Sequence, residues 1–201
     1  MKQSKLRKIF ATLLAVVMIL CVMPLGALAQ DDGGRQFRDV ASNAWFANAV
    51  AYCYENGLMV GVSDTEFDPN GTVTREMVVS VLYRIAETPG VEIAEGETAV
   101  GGFADVAAGK WYSEAILWGK ENEIVYGLTE TRFGVGEAVT REQLTAFLYR
   151  FAEKWGCDIS GKDDLAAFAD ADNIRAYAVD SVKWAVKSGF ISGSPADGKT
   201  Y

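Results

Sequence analysis

Phe37–Ala86 reads FRDVASNAWFANAVAYCYENGLMVGVSDTEFDPNGTVTREMVVSVLYRIA, and 66 residues further on Phe103–Ala152 reads FADVAAGKWYSEAILWGKENEIVYGLTETRFGVGEAVTREQLTAFLYRFA. Laid on one another without a gap, the two stretches agree at 19 of 50 positions. The agreements include Phe37/Phe103, Asp39/Asp105, Trp45/Trp111, Asn56/Asn122, Gly61/Gly127 and Phe67/Phe133. Thr74-Arg75-Glu76 falls on Thr140-Arg141-Glu142, and Leu82-Tyr83-Arg84 on Leu148-Tyr149-Arg150. A period of this length marks a supersecondary unit used more than once.

A third copy opens at Phe168-Ala169-Asp170. Tyr177, Trp184 and Gly193 match Tyr112, Trp118 and Gly127, with one extra residue between Tyr177 and Trp184. No third Thr-Arg-Glu block follows before Tyr201, so the third repeat is expected to be truncated. The chain then divides into a leader at 1–29, an N-terminal linker at 30–36, repeat one at 37–86, a linker at 87–102, repeat two at 103–152, a linker at 153–167 and a partial repeat at 168–201. The two inner linkers are rich in Gly and acidic residues, and the first contains the turn signal Pro89-Gly90.

The leader has the layout of a secretory signal. Lys2, Lys5, Arg7 and Lys8 precede a run of 14 residues, Ile9 to Val22, apolar except for Thr12, and Ala27-Leu28-Ala29 is an A-x-A cleavage site. That run falls short of the ~20 residues of a membrane span. Leu20 is bulky where a lipidation signal before Cys21 needs a small residue, so cleavage after Ala29 is expected. The leader holds four of the 19 basic residues and none of the 27 acidic ones, which leaves the remainder at −12. Such a chain is neither a nucleic-acid binder nor one held to anionic lipid by basic residues; any anionic partner must be gripped locally.

Each repeat reads as two helices around a loop. Trp45, Phe46, Ala49, Val50 and Cys53 recur at helical spacing, echoed by Trp111, Tyr112, Ala115 and Ile116. On this pattern Trp45 and Trp111 are core, while Trp118 and Trp184 sit off the centre of the stripe. The loop Phe67-Asp68-Pro69-Asn70-Gly71 is turn chemistry. Thr74 and Thr140 suit the N-cap of the second helix, and Gln143, three residues after Thr140, completes a capping box. Val78, Val81, Leu82 and Ile85, and likewise Leu144, Phe147, Leu148 and Phe151, form apolar stripes. Neither stripe can bury itself, so the second helices are expected to pool into a shared bundle.

No histidine is present, which excludes Ser-His-Asp and Cys-His catalysis and histidine-ligated zinc. No catalytic residue, metal site or cofactor is expected. Asp64, Asp68 and Asn70 do not have calcium-loop spacing. Cys53 and Cys157 form no CxxC pair and read as a small core residue and a linker thiol, with a disulfide as the alternative. Asp39, Asp105 and Asp170 precede the first helices, where local capping or turn bonding accounts for them. Arg75 and Arg141 stand at the first turn of their helices, where free N–H groups and the helix dipole already favour an anion. A guanidinium added there offers a bidentate fork to a carboxylate. The competing reading is that each Arg pairs with a nearby acid such as Glu76 or Glu142 and ties repeats together.

The order Phe-x-Asp-Val, Trp-Phe or Trp-Tyr, Gly61 or Gly127, Phe-x-Pro-x-Gly and Val-Thr-Arg-Glu resembles the surface-layer homology (SLH) family over nearly all of the chain past the leader. The resemblance implies an all-α fold, a pseudo-threefold bundle in which helix-loop-helix prongs surround a central helical bundle. It implies a secreted, non-catalytic protein of the bacterial cell wall or S-layer, with no membrane attachment after cleavage. Its partner would be secondary cell-wall polysaccharide attached to peptidoglycan, often pyruvylated, with the motif Arg gripping the pyruvyl carboxylate in grooves between repeats. Carried over, Arg75 and Arg141 are the ligand-binding candidates, Thr74, Glu76, Thr140 and Glu142 their support, and Gly61, Gly127 and Gly193 the points where ligand approaches backbone. Two other roles fit the same family: a structural part of a lattice of S-layer subunits, or the anchor of a larger surface enzyme. The chain departs from the family pattern in three ways. The third motif is missing, repeat two has Val135 and Glu137 in place of the loop Pro and Gly, so that its loop is expected to differ, and both motifs lack the Ala between Arg and Glu.

Overall fold

The computed structural model describes residues 37–87 and 91–193. The leader, the N-terminal linker, the Pro89-Gly90 turn and the last eight residues lie outside the described residues. The chain divides into two compact units, Met1–Gly71 and Thr72–Tyr201, so the boundary falls just ahead of the first Thr-Arg-Glu block. Among the described residues there are five α-helices and no strands: α1 (Ala47–Glu55), α2 (Arg75–Ala86), α3 (Ser113–Glu121), α4 (Arg141–Lys154) and α5 (Val179–Lys187). None of these helices is long and apolar enough to cross a membrane.

The described residues of the first unit, 37–71, are α1 with a loop on either side. Ala49, Val50 and Cys53 form the buried face of the helix, and Phe37 packs against Tyr54 and Phe67 with ring centroids 5.4 Å apart in both pairs. In the second unit α2 packs along α3, α4 along α5, and α2 also touches α4. A second helix therefore finds its main partner in the first helix of the next repeat, and the contact between second helices is the smaller one. The core comprises Val79, Leu82 and Ile85 of α2, Ile116 and Trp118 of α3, Phe147 and Phe151 of α4, and Val182 and Trp184 of α5. Tyr83 meets Trp118 at 5.4 Å, and 66 residues on Tyr149 meets Trp184 at 5.6 Å.

The first helices end alike. At α1 the N–H of Gly57 bonds the Tyr54 carbonyl and that of Leu58 the Cys53 carbonyl, with Gly57 at φ +66°. This is the Schellman closure, which needs one left-handed residue. It recurs at α3 through Glu123 and Ile124, and at α5 through Gly189 and Phe190.

The structure overturns the core placement expected for Trp45 and Trp111. Trp45 and Trp111 are 58% and 59% exposed, whereas Trp118 and Trp184 are 2% exposed. The reason is where the helices start. Trp45 and Trp111 lie in turns before Ala47 and Ser113, so helical periodicity does not apply to them. Each packs edge-on against the next aromatic, Phe46 or Tyr112, at 5.3 and 5.2 Å.

Asp39 and Asp105 also act further away than local capping. Asp39 accepts the N–H groups of Phe67 and Asp68, 28 and 29 residues on, and Asp105 accepts those of Phe133, Gly134 and Val135. The loop of repeat two keeps the turn of repeat one despite its different residues. Gly71 N–H bonds Asp68 O at 3.0 Å, and Glu137 N–H bonds Gly134 O at 3.2 Å. The turn needs one positive φ, which Asp68 adopts at +59° and Gly134 at +95°. Cys53 is a buried thiol of the first unit whose pKa burial pushes up, and Cys157 is a half-buried thiol of the second.

Candidate functional site

Arg75 opens α2 and is 2% exposed. An isolated antiparallel bridge between Thr74 and Ala138 sets it in place, with Arg75 N–H on Glu137 O and Val139 N–H on Val73 O. The guanidinium then reaches into the loop of repeat two. Its Nε donates to Phe133 O at 2.9 Å and its Nη2 to Tyr126 O at 2.7 Å. Its Cζ lies 4.7 Å from the ring centre of Phe133 and 5.2 Å from that of Phe147. Burial pushes its pKa down, opposed by the charges of Glu137, Asp105 and Glu76. Arg75 thus joins repeats, as the second sequence reading held, but through carbonyl groups and not through an acid. Glu76 also ties α2 to that loop, since its carboxylate accepts the Gly136 N–H at 3.0 Å.

Arg141 repeats the geometry in a more open setting. Its Nη2 donates to Ser192 O, 51 residues on, the same separation as Arg75 to Tyr126, yet Arg141 itself is exposed. Glu142 differs from Glu76. It accepts the Arg175 N–H at 2.8 Å and pairs with the Arg175 guanidinium at 3.2 Å, with Tyr177 Oη at 3.4 Å.

The supporting residues divide by repeat. Thr140 Oγ1 accepts the Gln143 N–H and Gln143 Oε1 accepts the Thr140 N–H, the capping box expected there. Thr74 has Met77 at the corresponding place, no box forms, and its buried Oγ1 has no partner among the described residues. At Gly61 a Cβ would stand 2.6 Å from the Phe37 ring and 2.7 Å from Glu66 O; at Gly127 it would stand 2.6 Å from the Phe103 ring and 2.3 Å from Thr129 O. The close approach both glycines allow is thus to their own repeat. Gly193 is half-buried at the end of the described residues.

A groove of about 400 Å³ opens beside Arg75. The 126–128 loop, α4 and the 175–177 turn wall it, contributing Tyr126, Gly127, Arg150, Arg175 and Tyr177. Three arginines and, among the described residues, no carboxylate line it, in a chain of net charge −8. Of the predicted residues it gathers Arg75 and Gly127, while Thr74, Glu76, Thr140, Arg141, Glu142, Gly61 and Gly193 are not among its lining. Sequence reasoning missed Arg150, Tyr126, Arg175 and Tyr177. The signal for Arg150 was visible, since Leu-Tyr-Arg recurs intact in both repeats, but its place on the groove wall depends on how α4 packs.

Residues 36–76, 102–145 and 167–198 each match the model of the S-layer homology domain. The chain is 30% identical over 200 residues to the Surface-layer 125 kDa protein of Lysinibacillus sphaericus, a match covering 99% of this chain and 16% of that protein. It is 23% identical over 196 residues to an S-layer protein of Bacillus thuringiensis subsp. finitimus, covering 98% and 22%. It is 27% identical over 161 residues to an amylopullulanase of Thermoanaerobacterium thermosulfurigenes, covering 80% and 8%. The chain therefore spans only a small part of the length of these relatives, and the enzyme is matched over its SLH part alone. Three matched segments in fixed order place the chain in the S-layer homology domain family, whose members are non-catalytic modules that anchor S-layer proteins and surface enzymes to the cell wall.

Proposed function

We propose that this chain is secreted, with cleavage after Ala29, and holds its cargo on a bacterial wall by binding secondary cell-wall polysaccharide through the groove at the Arg75 junction. In this reading the repeats at 37–86, 103–152 and 168–201 complete a pseudo-threefold bundle, and Arg141 with Ser192 forms the counterpart junction. The observation that carries the proposal is the concentration of Arg75, Arg150 and Arg175, the last paired with Glu142, along one groove of an acidic chain. Long-range attraction of an anionic polymer is ruled out by the net charge, so a local cationic pocket is what such a ligand requires. A lattice role beside other S-layer subunits is supported by the Lysinibacillus match along 99% of the chain.

The test is co-sedimentation of the chain with purified sacculi, before and after the secondary polymer is stripped. Arg75→Ala/Arg141→Ala is run alongside, with thermal melts as the folding control. Anchoring predicts that binding disappears with the polymer and falls sharply in the folded double variant. Sedimentation that survives stripping overturns the polysaccharide reading and favours contact with protein.

A further inference from the structure

Beside the Arg75 groove lies a second, larger cavity of about 700 Å³. The two share Tyr126, Ala146, Arg150 and Tyr177, so they meet along one seam. Both volumes lie within the range of small-ligand sites, roughly 300–1,000 Å³.

The three arginines of the smaller groove differ in how far their donors are already used. Arg75 has two nitrogens on carbonyls and is almost wholly buried. Arg175 is paired with Glu142. Arg150 makes one long bond, from Nη1 to Ile124 O at 3.4 Å, and rests its Cζ 4.5 Å from the ring centre of Tyr126. That is its one protein hydrogen bond among the described residues, although it is partly buried at the seam. A guanidinium has five donors, so Arg150 keeps most of its fork for a ligand. Stacking on Tyr126 fixes the plane of that fork.

The two cavities also differ in charge. Among the described residues no carboxylate lines the smaller, whereas Glu123, Glu153 and Asp180 line the larger beside Lys154, with Asp180 paired to Lys162. An anionic group is better placed in the smaller groove, whose charged lining is wholly cationic, than in the larger, whose lining is mixed. Hydroxyl groups suit the larger, because carboxylates accept hydrogen bonds from them. Tyr126 and Tyr177, about half exposed at 52% and 48%, supply aromatic surface at the seam.

We propose that the two cavities form one extended site for an acidic glycan of at least two sugar residues, in which Arg150 grips the carboxylate in the smaller groove and the neighbouring neutral ring lies in the larger cavity against Tyr126 and Tyr177. The proposal rests on the wall-polysaccharide reading and deepens it, making Arg75 the scaffold and Arg150 the contact. The site belongs to the second repeat in particular. Repeat one has Val60 where Tyr126 stands, and the third copy has Ser192.

The experiment is calorimetric titration of the full chain with polysaccharide released from sacculi, either intact or with its carboxyl groups chemically reduced. The unaltered protein is expected to bind the intact polymer about tenfold more tightly than the reduced one, the scale of a charged hydrogen-bonded pair. Arg150→Gln is expected to lose that preference, binding both polymers about equally. Tyr126→Ser, which installs the residue of the third copy, is expected to weaken both several-fold and leave the preference intact. Arg150→Lys keeps the charge without the fork and is expected to fall between, which covers the case in which the Gln variant does not fold. If the folded variants keep both the affinity and the preference, the assignment of Arg150 and Tyr126 is overturned and the wall reading survives. If the unaltered protein binds neither polymer, the wall reading itself fails, and this proposal with it.

Discussion

Asp105 accepts the Phe133 N–H at 2.8 Å across 28 residues of chain, as Asp39 accepts the Phe67 N–H at 2.9 Å in the repeat before. The carboxylate fastens the start of a repeat to the loop ahead of its second helix. At Asp105 partial burial pushes the pKa up, but the N–H groups of Val135, Phe133 and Gly134 outweigh it and the net shift is downward. At Asp39 the Phe67 N–H is the main cause of the same downward shift. A depressed folded pKa contributes stability that is complete above the unfolded value of about 3.9 and is lost as pH falls through the folded value. Melting temperature should therefore hold steady from neutral pH down to about 5 and drop below about 4. Asp105→Asn should lower the neutral plateau and flatten part of that acid limb, while an unchanged limb in the variant speaks against the latch.

Glu123 holds φ +60° at the position where Gly57 and Gly189 hold +66° and +75°. A side chain in the left-handed region costs roughly 1–2 kcal/mol, offset in part by the lower chain entropy of an unfolded non-glycine residue. Glu123→Gly is expected to stabilise the protein by about 0.5–1 kcal/mol. Gly189→Ala should destabilise it by about 1 kcal/mol or more. Denaturant melts of the two variants, shifted in opposite directions, are the check; shifts of the same sign would contradict the shared helix closure.

Trp118 is packed against Tyr83, Phe151 and Trp155, whereas Trp111 is 59% exposed and meets Tyr112 edge-on. Truncating a buried aromatic costs about 3–5 kcal/mol, and an exposed one about 0.5 kcal/mol. Trp118→Ala should therefore unfold at markedly lower denaturant while Trp111→Ala stays near the parent. Fluorescence quenching by iodide should fall on replacing Trp111 and change little for a folded Trp118→Phe variant. Equal melting losses for the two alanine variants would reverse the assignment.

These tryptophans mark the limit of what periodicity conveys. The second helices were legible from Thr74 and Thr140 onward because an N-cap fixes where the 3.6-residue count begins. The first helices have no such signal: Phe46 and Tyr112 stand at their N-caps without a side-chain cap bond. Counting from Trp45 started the stripe two residues early. The Asp39 and Asp105 latches were equally hidden, since a carboxylate before a helix looks the same whether it caps locally or bonds a loop 28 residues away. At the site, Arg75 was legible as an odd cation at a helix start. That it turns into carbonyl groups, leaving Arg150 to face the cavity, follows from packing between repeats, which no single repeat encodes.

The two motif arginines differ in what holds them. Both reach a carbonyl 51 residues on, but Arg75 is buried with two carbonyls attached and stacked on two rings, whereas Arg141 is exposed. Arg75→Ala leaves Phe133 O and Tyr126 O without their donor and removes the packing of the side-chain stem, a loss of about 2–4 kcal/mol. Arg141→Ala removes an exposed contact, for which about 1 kcal/mol or less is expected. Arg75→Lys should recover little, because an ammonium cannot bridge two carbonyls set apart by the guanidinium fork. Urea melts of the three variants provide the measurement. A small, equal loss at Arg75 and Arg141 would mean that the first motif, like the second, faces solvent, and that Arg75 is free to take a ligand directly.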